Sequence, residues 1–195
     1  MTNKETKIEL PEELPEGLPV PEDDGAADYL PGKQLPSVAL KSTAGGVVDL
    51  SSLPGVTVAY CFPQMGQPDS EMPRGWDDSP GARGCTPQTC SFRDHDADLR
   101  ALGAQVYGIS AQDVAFQKNL AERLHLPFEL LSDEDPILAE ALSLPTFEVA
   151  GLRLLRRLTL IVADGRIQKV FYPVFPPDNN AEEVVQWLSA ASHFG

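Results

Sequence analysis

Apolar residues along this chain fall into short strand-like runs that alternate with segments of helical periodicity. One run, residues 55–62, is rich in β-branched residues and is apolar at nearly every position. It predicts a central strand covered on both faces, because a half-exposed strand would alternate polar and apolar positions. Before it, short apolar pieces within residues 35–53 are separated by Ala44-Gly45-Gly46, a pattern that predicts a β-hairpin.

The pattern downstream of this strand predicts further helices and strands in alternation. Asp164-Gly165 is a strong signal for a tight hairpin turn between two of them. The predicted elements, in chain order, are a helix after residue 86, a strand at 105–110, a helix with Phe116, Leu120 and Leu124 on one face, a strand at 127–131, a short helix at 136–142, strands at 158–162 and 167–172, and a final helix from Asn180. This series indicates the α/β class, with a mixed central sheet flanked by helices and an N-terminal β-hairpin.

The start of the chain differs from the rest in composition. Proline recurs at positions 11, 15, 19 and 21 among acidic residues. Prolines at this spacing prevent a long helix, and the charge opposes collapse into a core. We therefore expect residues 1–29 to be a mobile tail, either a solvated extension or a docking segment, and residues 30–195 to form one domain.

Charge and cysteine content narrow the function. The chain carries 15 basic and 29 acidic residues, a formal net charge of −14, which argues against nucleic acid and anionic membranes as partners. No segment approaches the ~20 apolar residues that span a bilayer, and the polar start lacks the apolar region of a secretion signal. We expect a cytoplasmic protein, whose three cysteines serve catalysis, metal binding or burial rather than a disulfide scaffold.

Two of the cysteines lie where a long Gly/Pro/Asp-rich loop, residues 63–84, runs into a predicted helix. Thr86 is a suitable N-cap and Pro87 suits the first helical position, so Cys85 is expected just outside the helix N-terminus. Free backbone N–H groups and the positive end of the helix dipole stabilise an anion there, and the thiolate is the reactive form of cysteine. Because Cys90 follows five residues later, the pattern predicts an activated thiol with a second thiol close behind.

The same stretch carries a family resemblance. Residues 84–94, GCTPQTCSFRD, resemble the active-site segment of peroxiredoxins of the Q-type, or bacterioferritin-comigratory, group. The likeness continues in residues 103–111, 126–133 and 157–167, and extends from about Leu30 to the C-terminus. It implies a thioredoxin-like fold and a thiol peroxidase. In that reaction Cys85 would be the peroxidatic cysteine, which becomes a sulfenic acid, and Cys90 the resolving cysteine that forms an intramolecular disulfide with it.

The resemblance also implies a catalytic arginine. Arg157 precedes a strand at the place where the family carries an arginine close to the reactive thiolate. A guanidinium stays charged and presents several donors, so it suits both a thiolate and the oxygens of a peroxide. Arg153 and Arg156 lie nearby in the sequence and are the competing candidates.

One departure from the family pattern concerns the substrate pocket. The family places Pro and Thr seven and three residues before the peroxidatic cysteine, and the Thr hydroxyl binds the substrate. Asp78 and Ala82 occupy those positions here. The expected substrate-binding replacements are Ser79, which would supply a hydroxyl from a longer loop, or Arg83.

The activity implied by the resemblance is reduction of hydrogen peroxide or organic hydroperoxides. Electrons would come from thioredoxin or a similar dithiol protein, without a metal or other cofactor, in a monomer or homodimer. Two other classes stay open: a thiol–disulfide oxidoreductase, disfavoured because C-x-x-C is absent, and a non-enzymatic peroxide sensor or adaptor that uses the acidic tail. A zinc site from Cys85, Cys90 and His95 is disfavoured, since the spacing is unusual and a fourth ligand is missing.

Overall fold

A seven-stranded mixed sheet forms the centre of the molecule. The computed structural model describes residues 14–67 and 70–191. Its strands are β1 (Leu40–Ser42), β2 (Val47–Val48), β3 (Val56–Cys61), β4 (Ala104–Ser110), β5 (Glu129–Ser132), β6 (Thr146–Val149), β7 (Leu152–Leu155), β8 (Leu158–Ala163) and β9 (Arg166–Phe171). The main sheet has the order β2-β1-β5-β4-β3-β8-β9, and β6 pairs with β7 in a separate two-stranded sheet.

Strand β3 lies inside the sheet, as its apolar run predicts. It pairs in parallel with β4 and antiparallel with β8, while β4 pairs in parallel with β5. Alternate side chains of β3 enter opposite cores: Ala59 and Cys61 face one, and Val58 and Tyr60 face the other. A strand with a core on each face must be apolar at successive positions, which explains the run.

Helices cover both faces of the sheet. They are α1 (Cys85–Asp94), α2 (Asp96–Ala101), α3 (Val114–Arg123), α4 (Ile137–Leu142) and α5 (Asn180–Ala191). Buried residues of α4 join the core that contains Cys61, whereas those of α1, α2, α3 and α5 join the core that contains Tyr60. The mixed α/β architecture with an N-terminal hairpin is confirmed. Among the described residues, none of the helices has the length and apolar character needed to cross a membrane.

The turn between β8 and β9 also follows the prediction. Asp164 and Gly165 both have positive φ, 48° and 77°. A two-residue hairpin turn of type I′ requires positive φ at both central residues, which is the reason that Asp-Gly favours it. The hairpin sets the register of β9 against β8, with a bulge between Ile161 and Val162.

Two local features differ from the prediction. The helix that carries the cysteines begins at Cys85 rather than after Thr86, because Gly84 in the left-handed conformation is its N-cap. Pro87 is therefore its third residue, which costs no hydrogen bond because the first-turn N–H groups have no partner within the helix. The β6–β7 hairpin was not predicted; its turn has positive φ at Ala150 and Gly151.

The described part of the N-terminal segment, residues 14–29, has contacts that a solvated extension would lack. Ala27 is buried, and the Tyr29 hydroxyl donates to the backbone oxygen of Leu142 over 2.9 Å. Asp24 accepts a hydrogen bond from the Tyr172 hydroxyl. The expectation of an undocked tail therefore does not fit residues 14–29, since hydrogen bonds and burial offset the loss of chain entropy there. Residues 1–13 lie outside the described residues.

Candidate active site

The segment that carries Cys85 begins where the long loop after β3 meets α1. Gly84 has φ of 104°, and the carbonyl oxygen of Gly84 accepts the first helical hydrogen bond from the N–H of Gln88, over 3.0 Å. A side chain at this position is excluded, because a Cβ on residue 84 would lie 2.2 Å from Cγ of Pro177. The close packing against Pro177 thus fixes where α1 starts and places Cys85 in its first turn.

Cys85 is almost fully enclosed, with 4% of its surface exposed. Its Sγ lies 3.2 Å from Nη2 of Arg157, which donates to it, and 3.7 Å from the carbonyl oxygen of Ala82. The guanidinium at hydrogen-bond distance and the free N–H groups of the α1 N-terminus both present positive charge to this sulfur. Cys85 therefore lies in an electropositive environment.

Arg157 is itself buried, with 4% exposure, between β7 and β8. Its Nη2 also approaches the carbonyl oxygens of Gly81, Ala82 and Arg83, at 3.2, 3.2 and 3.1 Å. Its Nη1 donates to Oε1 of Gln88 over 2.6 Å. Burial of a cation is costly unless its donors are satisfied, and these oxygens supply that compensation for Nη1 and Nη2. The contacts fix the guanidinium against the loop–helix junction.

The two neighbouring arginines lie elsewhere. Arg153 is on β7, where Nε donates to Oγ1 of Thr146 and Nη1 lies 3.7 Å from Glu140. The guanidinium of Arg156 lies over the ring of Phe147, 5.8 Å from the ring centroid. Of the three candidates that the sequence offers, the structure brings Arg157 to the sulfur of Cys85.

Sequence reasoning missed a buried polar chain behind Arg157. Gln88 Nε2 donates to Oδ1 of Asn180 over 3.1 Å, and the same oxygen accepts from Oγ1 of Thr159 over 2.7 Å. All three side chains are fully buried. The sequence identified Asn180 only as the start of the last helix. The signal that could have identified Asn180 is a polar side chain at an otherwise apolar core position. Thr159 within β8 gives the same signal.

Cys90 lies in the second turn of α1, with 1% exposure, and packs with the core that contains Tyr60 and Phe92. The three cysteines, all within the described residues, are not joined in disulfides. Residues five positions apart in an intact helix have Cα atoms roughly 8–9 Å apart, from the rise and rotation per residue. A disulfide needs about 4.4–6.8 Å, so Cys85 and Cys90 are not in bonding position while the first turn of α1 is helical.

The two substrate-binding candidates of the loop have partners within it. Ser79 Oγ donates to the carbonyl oxygen of Gly75 over 2.9 Å. Arg83 pairs with Asp77 through two hydrogen bonds, at 2.5 and 3.1 Å. Ala82, at the position of the family's Thr, is fully buried and presents its carbonyl oxygen rather than a hydroxyl to Cys85.

The third cysteine has a different environment. Cys61 ends β3, is fully buried and packs in the core on the α4 side of the sheet. Burial raises the pKa of its thiol well above the ordinary range. It therefore stays a neutral thiol at physiological pH, consistent with a packing role.

Comparisons with known proteins show the family of this chain. The family model described as Redoxin matches residues 29–185. The chloroplastic peroxiredoxin Q of Populus jackii is 30% identical over 159 residues, covering 82% of this chain and 68% of the relative. That of Arabidopsis thaliana is 31% identical over 161 residues, covering 82% of this chain and 67% of the relative.

Solved structures agree on the fold. The peroxidoxin BcpB of Mycobacterium tuberculosis superposes with a TM-score of 0.68 at 24% identity, covering 83% of this chain and 97% of that chain. The bacterioferritin comigratory protein of Xanthomonas campestris gives 0.67 at 19% identity, covering 84% and 98%. These likenesses show the architecture, and the thioredoxin-like fold is confirmed.

A thioredoxin-like sheet, a cysteine at a helix start and an arginine on its sulfur define a thiol-based redox enzyme. Within that class the chain belongs to the redoxin family, and to its Q-type peroxiredoxins. It is a thiol-dependent peroxidase. The comparisons give no support to the alternatives of a thiol–disulfide oxidoreductase or a non-enzymatic sensor.

Proposed function

We propose that Cys85 is the peroxidatic residue. Its thiolate attacks one oxygen of the peroxide O–O bond; the S–O bond forms, the O–O bond breaks, and the leaving oxygen takes a proton to become water or an alcohol. The cysteine is oxidised to a sulfenic acid and the peroxide is reduced. The observation that carries the proposal is the 3.2 Å contact between Sγ of Cys85 and Nη2 of Arg157.

Arg157 supplies a positive charge at a buried position. A fixed guanidinium stabilises the attacking thiolate and the negative charge that develops on the leaving oxygen, and burial makes this stabilisation stronger than in water. Within the described part of the chain its Nε is buried and has no hydrogen-bond partner, so one donor is available to a peroxide oxygen. With Ala82 in place of a threonine, this donor is the proposed substitute for the family's hydroxyl. Ser79 and Arg83 remain secondary candidates for substrate binding.

Cys90 is proposed as the resolving residue. After oxidation, the first turn of α1 unwinds, Cys90 attacks the sulfenic sulfur of Cys85, and a disulfide forms with loss of water. Support comes from the spacing of the two thiols and from the first-turn residues Thr86, Pro87 and Thr89, which are modest helix formers. A dithiol reductant then restores both thiols by thiol–disulfide exchange.

The reductant, the cellular location and the oligomeric state are proposed from the class of protein. Peroxiredoxins reduce peroxides with electrons from thioredoxin-like proteins, and we propose thioredoxin or a similar dithiol protein as the reductant here. A content of three cysteines, which does not make a disulfide scaffold, suits a reducing compartment and supports a cytoplasmic location. The plant relatives are named as chloroplastic, which applies to those proteins. We propose a monomer or homodimer in which residues 30–195 form the catalytic domain.

Steady-state turnover with a thioredoxin system, using hydrogen peroxide and tert-butyl hydroperoxide in turn, tests the assignment. Cys85→Ser should abolish reduction of both peroxides, because a hydroxyl does not ionise in this setting as a thiol does. Cys90→Ser should still react with one equivalent of peroxide but should not turn over with thioredoxin. Cys61→Ala is the matched control and should keep near-normal turnover. Turnover by Cys85→Ser would contradict the assignment.

A further inference from the structure

The segment formed by residues 14–24, named here the N-terminal strap, lies against the junction of loop and helix that carries Cys85. A Cβ built on Gly84 would be 3.1 Å from Cδ2 of Leu14, and one built on Gly81 would be 3.5 Å from Cβ of Pro21. Two apolar side chains of the strap therefore lie close to the backbone one and four residues before Cys85. Such contacts restrict how far that backbone can move.

The strap is fastened at its C-terminal end. The Tyr172 hydroxyl donates to Oδ1 of Asp24 over 2.8 Å. That hydrogen bond lowers the pKa of Asp24, with a smaller contribution from the charge of Arg156. Immediately after the strap, Ala27 and Leu30 are buried in the core, so the chain cannot slide along the surface there.

Pro177 adds to the confinement of this junction. On the side of Gly84 where Leu14 lies, a Cβ would also be 2.2 Å from Cγ of Pro177, which leaves no room for a side chain there. Pro21, Gly81 and Arg157 line a cavity of only about 10 Å³, which holds about one water molecule. Leu14 and Pro177 therefore pack against the same side of Gly84, the N-cap residue of α1, and restrict the movement of the chain at the start of the helix.

We propose that the N-terminal strap is a positioning element of the peroxidase reaction. It holds residues 81–85 in the conformation in which Cys85 attacks peroxide, and it must lift before the sulfenic acid can reach Cys90. The inference rests on the proposed function, because it concerns the step in which the Cys90 thiol displaces water from the Cys85 sulfenic acid. The strap carries four acidic and no basic residues on a chain of net charge −14, so it is attached by a few contacts rather than by general charge attraction.

Slow release of the strap from the Cys85 junction has a chemical consequence. While the first turn of α1 stays folded, the sulfenic acid remains next to Arg157, where a second peroxide can oxidise it to a sulfinic acid with release of water or alcohol. The strap therefore sets the ratio of the resolving rate to the overoxidation rate. Loosening it should raise the peroxide concentration needed to inactivate the enzyme.

The test compares full-length variants after rapid mixing of reduced protein with hydrogen peroxide. Samples are quenched with an alkylating reagent, and mass spectrometry measures reduced, disulfide and sulfinic forms of Cys85 over time. Leu14→Ala/Pro21→Ala should raise the rate of disulfide formation about tenfold, the effect of losing about one half-buried apolar contact. The peroxide concentration that gives half-maximal sulfinic acid should rise by a similar factor. Tyr172→Phe, which removes one hydrogen bond, should raise the resolving rate about threefold.

Val20→Ala is the matched control, because Val20 belongs to the strap but is 60% exposed. It should leave the resolving rate unchanged. If the wild type forms the Cys85–Cys90 disulfide and the double variant resolves within twofold of Val20→Ala, the strap inference is wrong and the proposed function stands. If the wild type forms no such disulfide, the proposed resolving role of Cys90 is wrong, and the strap inference, which rests on it, is wrong as well. A merely destabilising effect would lower the urea midpoint without changing the ratio of disulfide to sulfinic acid.

Discussion

The two halves of α1 are held in place by different forces. The first turn, from Cys85 to Gln88, is fixed by polar contacts: Arg157 bridges the sulfur and the side chain of Gln88. The second half is fixed by apolar packing, with the ring of Phe92 stacked on Tyr60 at 4.4 Å between centroids. If Cys85 reacts as we propose, polar contacts to its sulfur can be exchanged during the reaction, whereas the ring of Phe92 stays buried. Helix α1 thus combines a first turn that can unwind with a second half that stays packed in the core.

The largest expected effect is on the apolar half. Phe92→Ala removes a fully buried ring and should lower the free energy of unfolding by about 3–5 kcal/mol. Urea denaturation followed by circular dichroism measures it. The neighbouring change Ser91→Ala, at a half-buried position, should stay within about 0.5 kcal/mol of wild type. Equal effects of the two substitutions would remove the distinction between the halves.

Arg157→Ala tests the polar half. It should lower the second-order rate constant for peroxide about 10²–10³-fold, the usual cost of losing a preorganised charged donor. Stopped-flow mixing of reduced enzyme with peroxide gives this constant directly. Arg153→Ala and Arg156→Ala are the controls, since both side chains lie away from Cys85 and should change the constant much less. Three equal losses would contradict the choice of Arg157.

Gln88→Met tests whether the buried chain behind Arg157 positions it. The substitution keeps the volume but removes the acceptor for Nη1 of Arg157, and we expect about a tenfold lower rate constant for peroxide. Gln88→Glu keeps that acceptor and should recover most of the loss, although it loses the donor to Asn180. If Glu and Met behave alike, Gln88 fills space rather than orienting Arg157.

Amide exchange before and after oxidation compares the two halves of α1 directly. Formation of the Cys85–Cys90 disulfide should release the N–H of Gln88 and its neighbours, whose bonds close the first turn, while amides from Phe92 onward stay protected by the core. Peptide-level exchange over residues 85–94, with mass-spectrometric mapping of the disulfide, measures both. Loss of protection along the whole helix would show that the two halves open together. Pairing of Cys85 with Cys61 would overturn the resolving role of Cys90.

The site was only partly predictable because its contacts join distant parts of the chain. Arg157 and Gln88 are separated by 69 positions, and Gln88 and Asn180 by 92. Periodicity and turn signals describe neighbours along the sequence, so they cannot show which buried polar side chains meet. The choice of Arg157 came from the family resemblance and not from the pattern. The early start of α1 was missed for the same reason, since it depends on Pro177 packing against Gly84.

The sequence by itself determined the local features of this protein. The apolar run of β3, the Asp164-Gly165 turn and the placement of Cys85 and Cys90 around a helix start all depend on residues within a few positions of each other. Only the tertiary structure decided that Arg157 reaches the sulfur, that Gln88 connects it to Asn180, and that residues 14–24 lie against the reactive junction. The acidic, proline-rich composition of that segment predicts poor collapse on its own. Its place on the molecule follows instead from surfaces that exist only once the sheet and helices have assembled around it.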